Sequence, residues 1–233
     1  MIAVIVAAGY GTRMYPLTEN KAKALLPFWG KTIIDHLLDK LFEVPISKVV
    51  IVSNNKFFND FSKWKETSPY SKRIFLINDG TNAPEEALGW ERDLALAFPQ
   101  INEDFLVLAS DTLFGFKMND FVSKFSKEPL LAVCDVHSLE SAKKYGVVEL
   151  DGDKIISFEE KPMYPKSTLK ACLFYYFPLS IKQDVISMLS GGKKEHLIAY
   201  LKSKKFQLNA FFFSEYMHDI GDLATYNELK DKN

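Results

Sequence analysis

The chain is poor in cysteine, with two in 233 residues, Cys134 and Cys172, far apart and in no CxxC pair. This excludes a disulfide scaffold and a thiolate zinc site, and it fits a reducing compartment. Net charge is also nearly absent: the formal value is −1 and the pI is near 6.4. No overall field steers a polyanion, so nucleic acid is not expected as a partner and any phosphate must be held locally. There is no apolar run long enough to span a bilayer. The opening stretch Ile2–Ala7 lacks the basic flank and cleavage pattern of a signal peptide. A cytoplasmic protein without a membrane partner is expected. Linkers, repeats and low-complexity stretches are missing too, which points to one domain over residues 1–233. What is present, 47% hydrophobic and 25% charged residues, is the balance of a globular chain able to bury a core without staples.

Short β-branched runs alternate with segments of helical period, the pattern of an α/β protein. Strands are predicted at Ile2–Ala7, Lys48–Ser53, Arg73–Ile77, Phe105–Ala109 and Leu130–Val136, several apolar throughout and so buried on both faces. Thr32 is placed to cap a helix carrying Ile33, Ile34, Leu37, Leu38, Leu41 and Phe42 on one stripe. Phe57, Phe58, Phe61 and Trp64 mark the next helix, and Pro84 suits the first turn of a third, Glu85 to Phe98. After about Tyr145 the texture changes. Gly146–Leu150 and Lys154–Phe158 flank Asp151-Gly152-Asp153, a hairpin signal that reads as an inserted antiparallel β-element. Further strands are expected at Lys170–Phe177 and Phe206–Phe213, with helices near Ile181–Leu189, His196–Lys202 and from Asp222 onward. The fold expected is Rossmann-like, a mixed but mainly parallel sheet flanked by helices.

The most informative stretch directly follows the first strand: Ala7-Ala8-Gly9-Tyr10-Gly11-Thr12-Arg13-Met14-Tyr15-Pro16-Leu17-Thr18. Small residues and two glycines let backbone amides approach an anion, at the carboxyl end of a strand where open α/β sheets bind ligands. Two commoner phosphate motifs are excluded. A dinucleotide GxGxxG needs glycine where Met14 stands, and a P-loop ending in Gly30-Lys31-Thr32 needs glycine where Leu25 stands. Lys21-Ala22-Lys23-Ala24-Leu25-Leu26-Pro27 then brings a lysine next to an apolar run. With Arg13, Lys23 offers fixed positive charge to a polyphosphate, whose transfer chemistry rests on positioning and charge neutralisation.

At this point the chain resembles the sugar-1-phosphate nucleotidyltransferase family, the NDP-sugar pyrophosphorylases and glucose-1-phosphate thymidylyltransferase-like proteins. Gly9 to Thr18 match that family's G-x-G-T-R-x-x-P-L-T loop, and Lys23 to Pro27 match its K-x-L-L-P segment. The resemblance implies the nucleotide-diphospho-sugar transferase-like fold, with 1–135 mainly binding nucleotide and 136–233 mainly binding the acceptor and giving a second metal ligand. It implies nucleotide contacts from Ala8, Gly9, Gly11, Thr12, Asp79 and Gly89, with Gly89 letting the base approach the backbone. Phe105 to Asp111 resemble the strand that ends in the family's metal aspartate, although Ser110 and Thr112 depart from its usual Gly and Asn. Tyr145 to Glu149 and Phe158 to Pro162 are similar to its Y-G-V-V and E-E-K-P segments. By that likeness Gly146, Glu160 and Lys161 bind the acceptor, Lys161 holding its phosphate. His218 to Asp222 resemble its D-x-G segment, with Asp219 as second metal ligand and Asp222 as helix cap.

The reaction so implied joins an NTP to a sugar 1-phosphate, giving an NDP-sugar and pyrophosphate. Arg13, Lys23 and Lys161 would be catalytic, and Mg²⁺, a hard cation satisfied by carboxylates, phosphate oxygens and water, would sit on Asp111 and Asp219. The alternative acceptor is phosphocholine or another small phosphorylated alcohol, for which Tyr164, Tyr175, Tyr176 and Tyr216 offer aromatic faces. A silent nucleotide-sugar-binding regulator is a third reading, set against the retained Arg, Lys and Asp. A homo-oligomer is compatible with all three. The histidines show no metal-site spacing, and Cys172 is expected to be packed rather than nucleophilic.

Overall fold

In the computed structural model, which describes residues 1–191 and 196–230, the chain begins with strand β1 (Ile2–Val6). Two very short strands follow, β2 (Pro27–Phe28) and β3 (Lys31–Thr32), which pair with each other. Next come α1 (Ile33–Leu41), β4 (Lys48–Ser53), α2 (Asn55–Thr67), β5 (Ile74–Asn78), α3 (Trp90–Ala97), β6 (Phe105–Ala109) and β7 (Thr112–Phe114). The chain continues with α4 (Met118–Ser123), β8 (Leu130–Asp135), α5 (Leu139–Ala142), β9 (Gly146–Asp151), β10 (Lys154–Glu160) and β11 (Leu169–Phe177). It closes with α6 (Ile181–Ser190), α7 (Leu197–Ser203), β12 (Asn209–Phe212), β13 (Met217–Asp219) and α8 (Leu223–Lys230).

Among the described residues nine strands form one sheet in the order β5-β4-β1-β6-β11-β8-β12-β10-β9. The four strands β5, β4, β1 and β6 run parallel. Beyond β6 the sheet is mostly antiparallel, with β11 antiparallel to both its neighbours and only β12–β8 parallel. The expected parallel character therefore holds for the first half alone. The hairpin β9–β10 is no separate insertion, because β10 pairs with β12, and β9 also pairs with β11, so both extend the same sheet.

The apolar runs explain the layering. Along β1, Ala3 and Ile5 enter one core with Ile34, Leu37, Leu38, Phe57 and Phe61 from α1 and α2, while Ile2 and Val4 enter a second with Leu94, Ala97, Ile181, Val185, Leu197 and Ile198. A strand with helices on both faces has no polar side to present. Capping confirms the first two helices. Thr32 and Asp35 form a reciprocal capping box on α1, and Asn54 accepts from Phe57 N at 2.9 Å on α2.

The third helix differs from expectation. Pro84 opens a short 3-10 turn, Pro84–Glu86, and α3 begins only at Trp90, after Gly89 at φ +89°. Only glycine takes that backbone conformation readily, so the chain breaks there before turning helical. A third, smaller core joins Met14, Leu26, Phe28 and Ile33 to Leu113, Ile220, Tyr226 and Leu229. It clamps α8 and the chain after β13 against the segment that carries Arg13. Tyr226 Oη reinforces it, donating to Pro27 O at 2.6 Å. No described helix is long and apolar enough to cross a membrane.

Candidate active site

The carboxyl ends of β1, β5 and β6 open into one cavity of about 240 Å³, lined by Ala8, Gly9, Lys23, Asp79, Gly89, Asp93 and Asp111 among others. The glycine loop is held by its neighbours. Asn54 Nδ2 donates to Ala8 O at 2.9 Å, and Thr18 Oγ1 donates to Gly11 O at 2.7 Å. Gly11 has φ +63°, and a Cβ there would lie 3.2 Å from Thr18 Cγ2. Around Gly9 a Cβ would meet nothing within 4 Å, so the backbone faces open space. The loop after β5 is tied to it: Tyr10 Oη donates to Thr81 Oγ1 at 2.9 Å, and Thr81 N donates to Asp79 Oδ1 at 2.7 Å.

The two aspartates expected as metal ligands stand on neighbouring chain segments. β7 and β13 pair antiparallel with Asp219 opposite Thr112, and Ile220 N donates to Asp111 O at 2.9 Å. Thr112 Oγ1 donates to Asp219 Oδ1 at 3.2 Å. Each carboxylate also carries a lysine: Lys23 Nζ binds Asp111 and Lys170 Nζ binds Asp219. Among the described residues no group of three or more His, Cys, Asp or Glu could hold a metal ion. Asp111 lines the glycine-loop cavity and Asp219 a second one; each carboxylate is of the donor class that a hard dication takes beside phosphate oxygens and water.

Lys170 was not foreseen. A lysine at the head of an apolar strand reads as a solvent-facing end, yet its side chain is only 8% exposed. Burial pulls its ammonium down, but the adjoining Asp219 carboxylate outweighs burial and holds it above the usual lysine value. Its Nζ also lies 4.2 Å from the Tyr145 ring centroid. Lys170, Tyr145 and Asp219 line a second cavity of about 480 Å³, together with Tyr216 and His218.

Arg13 reaches the same region from the other side, since a Cβ at Gly221 would lie 3.5 Å from its Nη2. The Asp222 carboxyl, which caps α8 by accepting from Thr225 N at 2.8 Å, is held below its usual value by that bond first and by Arg13 in smaller part. Neither Arg13 nor Thr12 lines either cavity.

The expected acceptor residues cluster less tightly. Glu160 Oε2 lies 3.9 Å from His196 Nε2, and the His196 ring packs against Trp90 of the first cavity wall at 5.5 Å. Burial lowers the His196 pKa against the pull of Glu160. Lys161 has φ +46°, its side chain is 65% exposed, and its Nζ is 3.5 Å from Glu160 Oε1. It lines neither cavity. At Gly146 a Cβ would meet the Phe158 ring at 2.8 Å and Glu160 Oε2 at 3.1 Å, so those side chains fill the space that glycine leaves.

Of the four tyrosines, Tyr175 and Tyr176 are buried in the core and Tyr164 is exposed, which leaves Tyr216 at a cavity. Cys172 is buried and burial raises its thiol pKa; its Sγ is 3.7 Å from Cys134 Sγ. Lys31 lies outside the site, on an exposed pair with Asp39 at 2.5 Å.

Comparison with known proteins bears on the family and the fold. The fold is shared with a Bacillus anthracis protein assigned as a glucose-1-phosphate thymidylyltransferase and solved with sucrose. Its TM-score is 0.84 at 22% identity, covering 100% of this chain and 97% of that one. The bifunctional protein GlmU of Methanocaldococcus jannaschii is 29% identical over 231 residues, 95% of this chain and 51% of that protein. The UTP–glucose-1-phosphate uridylyltransferase AglF of Haloferax volcanii is 31% identical over 184 residues, 78% of this chain and 73% of that protein. The chain thus spans from about half to about three quarters of these relatives' lengths. The sequence profile described as nucleotidyl transferase matches residues 2–233. The glycine loop at the end of β1 and the paired aspartates are thus set in a chain that belongs to the nucleotidyl transferase family.

Proposed function

We propose that the protein condenses an NTP with a sugar 1-phosphate to give an NDP-sugar and pyrophosphate. The observation that carries this reading is the main-chain pairing that brings Asp219, which lines the second cavity, beside Thr112 and next to Asp111, which lines the glycine-loop cavity, each aspartate already balanced by a lysine. Such a site concentrates opposite charges where phosphates must be held against their own repulsion.

An oxygen of the acceptor phosphate attacks the α-phosphorus of the NTP. A new P–O bond forms, the bond from the α-phosphorus to the bridging oxygen breaks, and pyrophosphate leaves with that electron pair. No covalent intermediate on the protein is needed. Amides of Ala8 and Gly9 line the cavity and cradle the triphosphate, and Lys23 neutralises the leaving pyrophosphate; Gly11, Thr12 and Arg13, which line neither cavity, are assigned to the phosphates by the family's loop motif. Exposed Lys161 aligns the acceptor phosphate, while Glu160 accepts hydrogen bonds from sugar hydroxyls. Asp111 and Asp219 would hold Mg²⁺, which when bound supplies charge neutralisation at the α-phosphate. Lys23 and Lys170, which balance these carboxylates, would then be available to phosphate oxygens. The work belongs in the cytoplasm, where NTPs are abundant.

The test is pyrophosphate release by purified protein with each NTP against a panel of sugar 1-phosphates, phosphocholine and glycerol phosphate. Release with a sugar 1-phosphate supports the reading. Release only with phosphocholine or glycerol phosphate replaces the acceptor, and no release with any pair overturns the activity.

A further inference from the structure

The chain has only two cysteines, and the fold brings them together although 38 positions separate them. Cys134 lies near the end of β8 and Cys172 within β11, antiparallel neighbours whose register sets Lys170 opposite Cys134. Cross-strand partners share a face of the sheet, as do residues two apart along a strand, so Cys172 stands diagonally across from Cys134. Their sulfurs are 3.7 Å apart. Two packed thiols in a core would ordinarily call for no function, since free cysteine behaves as a small apolar residue. Here the surroundings of the two sulfurs differ in a way that packing does not require.

Cys134 is partly exposed and lines the second cavity together with Lys170, whereas Cys172 is 1% exposed. The contact with Cys172 holds the Cys134 thiol below its ordinary value against the effect of burial, and Lys170 adds to that. One sulfur therefore borders open space and is the readier to ionise, while the other is shielded, protonated and in contact with it. This is the division of labour between an attacking and a resolving thiol. A disulfide needs the sulfurs to close to about 2.05 Å. The backbone has slack at that point, because the register between β11 and β8 slips between Ala171 and Tyr175, the stretch that holds Cys172.

We propose that Cys134 and Cys172 form an oxidant-sensitive dithiol in the wall of the second cavity, and that the oxidant it takes is a small hydroperoxide. The Cys134 sulfur attacks one oxygen of the peroxide. An S–O bond forms, the O–O bond breaks, and the other oxygen takes a proton and leaves as water or an alcohol. Cys134 is then a sulfenic acid. The Cys172 sulfur attacks it, the S–S bond forms, the S–O bond breaks, and hydroxide departs with the Cys172 proton as water. The sulfurs are oxidised and the peroxide is reduced. A dithiol reductant returns both thiols, as a reducing compartment would. Neither cysteine takes part in the proposed nucleotidyl transfer, so the test needs none of its substrates.

The experiment exposes folded wild-type protein to hydrogen peroxide, then unfolds it, labels free thiols with N-ethylmaleimide and reads the intact mass. Untreated protein should carry a label on each cysteine. Oxidised protein should carry none, should weigh less by a pair of hydrogen atoms, should run as a single chain on a non-reducing gel, and should regain both labels after dithiothreitol. Cys172→Ala should stop at the sulfenic acid, trapped by dimedone on Cys134, and Cys134→Ala should leave Cys172 labelled; thermal melting checks that both variants fold. Wild-type protein that keeps both labels, gains oxygen mass in place of losing hydrogen, or links chain to chain overturns the dithiol. Oxidation of Cys172 in folded Cys134→Ala at the wild-type rate overturns the assignment of Cys134 as the attacking thiol. The wild-type measurement decides whether the bond forms even where a variant does not fold.

Discussion

Lys170 is buried against Asp219, joining the head of β11 to the end of β13. The pair holds a candidate metal ligand in place before any ligand arrives, and it makes stability and activity separable. Lys170→Met should leave Asp219 without its cation, costing about 1–3 kcal/mol, and should lower turnover. The double variant Lys170→Met/Asp219→Asn removes both charges and should regain most of that stability while staying inactive. Urea unfolding and pyrophosphate release read the two effects, and a single variant as active as wild type would remove Lys170 from the site.

Asp111→Asn, Asp219→Asn and Arg13→Ala each delete one charge from the proposed catalytic machinery. Each should reduce turnover about a hundredfold, equivalent to roughly 3 kcal/mol of transition-state stabilisation. Chelation with EDTA should abolish turnover, and added Mg²⁺ should restore it to wild type but not to the aspartate variants.

Asp93 links pH to folding. Its folded pKa of about 7 lies above the ordinary 3.8, so between those values the folded chain binds more protons than the unfolded one. Stability present below about pH 4 should fall as pH rises to about 7, by up to ~4 kcal/mol. Asp93→Asn lacks this dependence, so its unfolding midpoint should overtake that of wild type at pH 8 and converge with it at low pH. Parallel curves for the two proteins would contradict the raised pKa.

Gly146→Ala would drive a methyl group into the Phe158 ring and toward Glu160. Overpacking of this kind costs about 1–3 kcal/mol, and displacement of Glu160 should raise KM for the acceptor more than it lowers kcat. Adding Phe158→Leu makes room and should recover stability, as thermal melting would show.

What was legible in the sequence follows from physical scale. β1 and β6 were plain because a strand buried on both faces is apolar throughout, and the glycine loop was plain because backbone approach to an anion restricts residue type at successive positions. The Glu85 to Phe98 segment was misread because Pro84 fits a helix start and the apolar spacing persists, while the break lies in one backbone angle at Gly89. β7 and β13 were missed because three residues carry no period and their partners lie about a hundred positions apart. Lys170 was missed because its anion comes from β13, a strand that was itself invisible. Asp93 was missed because burial of a helix residue depends on what packs over it.

The ladder between β7 and β13 fixes the spacing of Asp111 and Asp219 through main-chain bonds, whatever side chains surround them. Side-chain changes in the turn at 213–216, which lines the second cavity, would leave that spacing untouched.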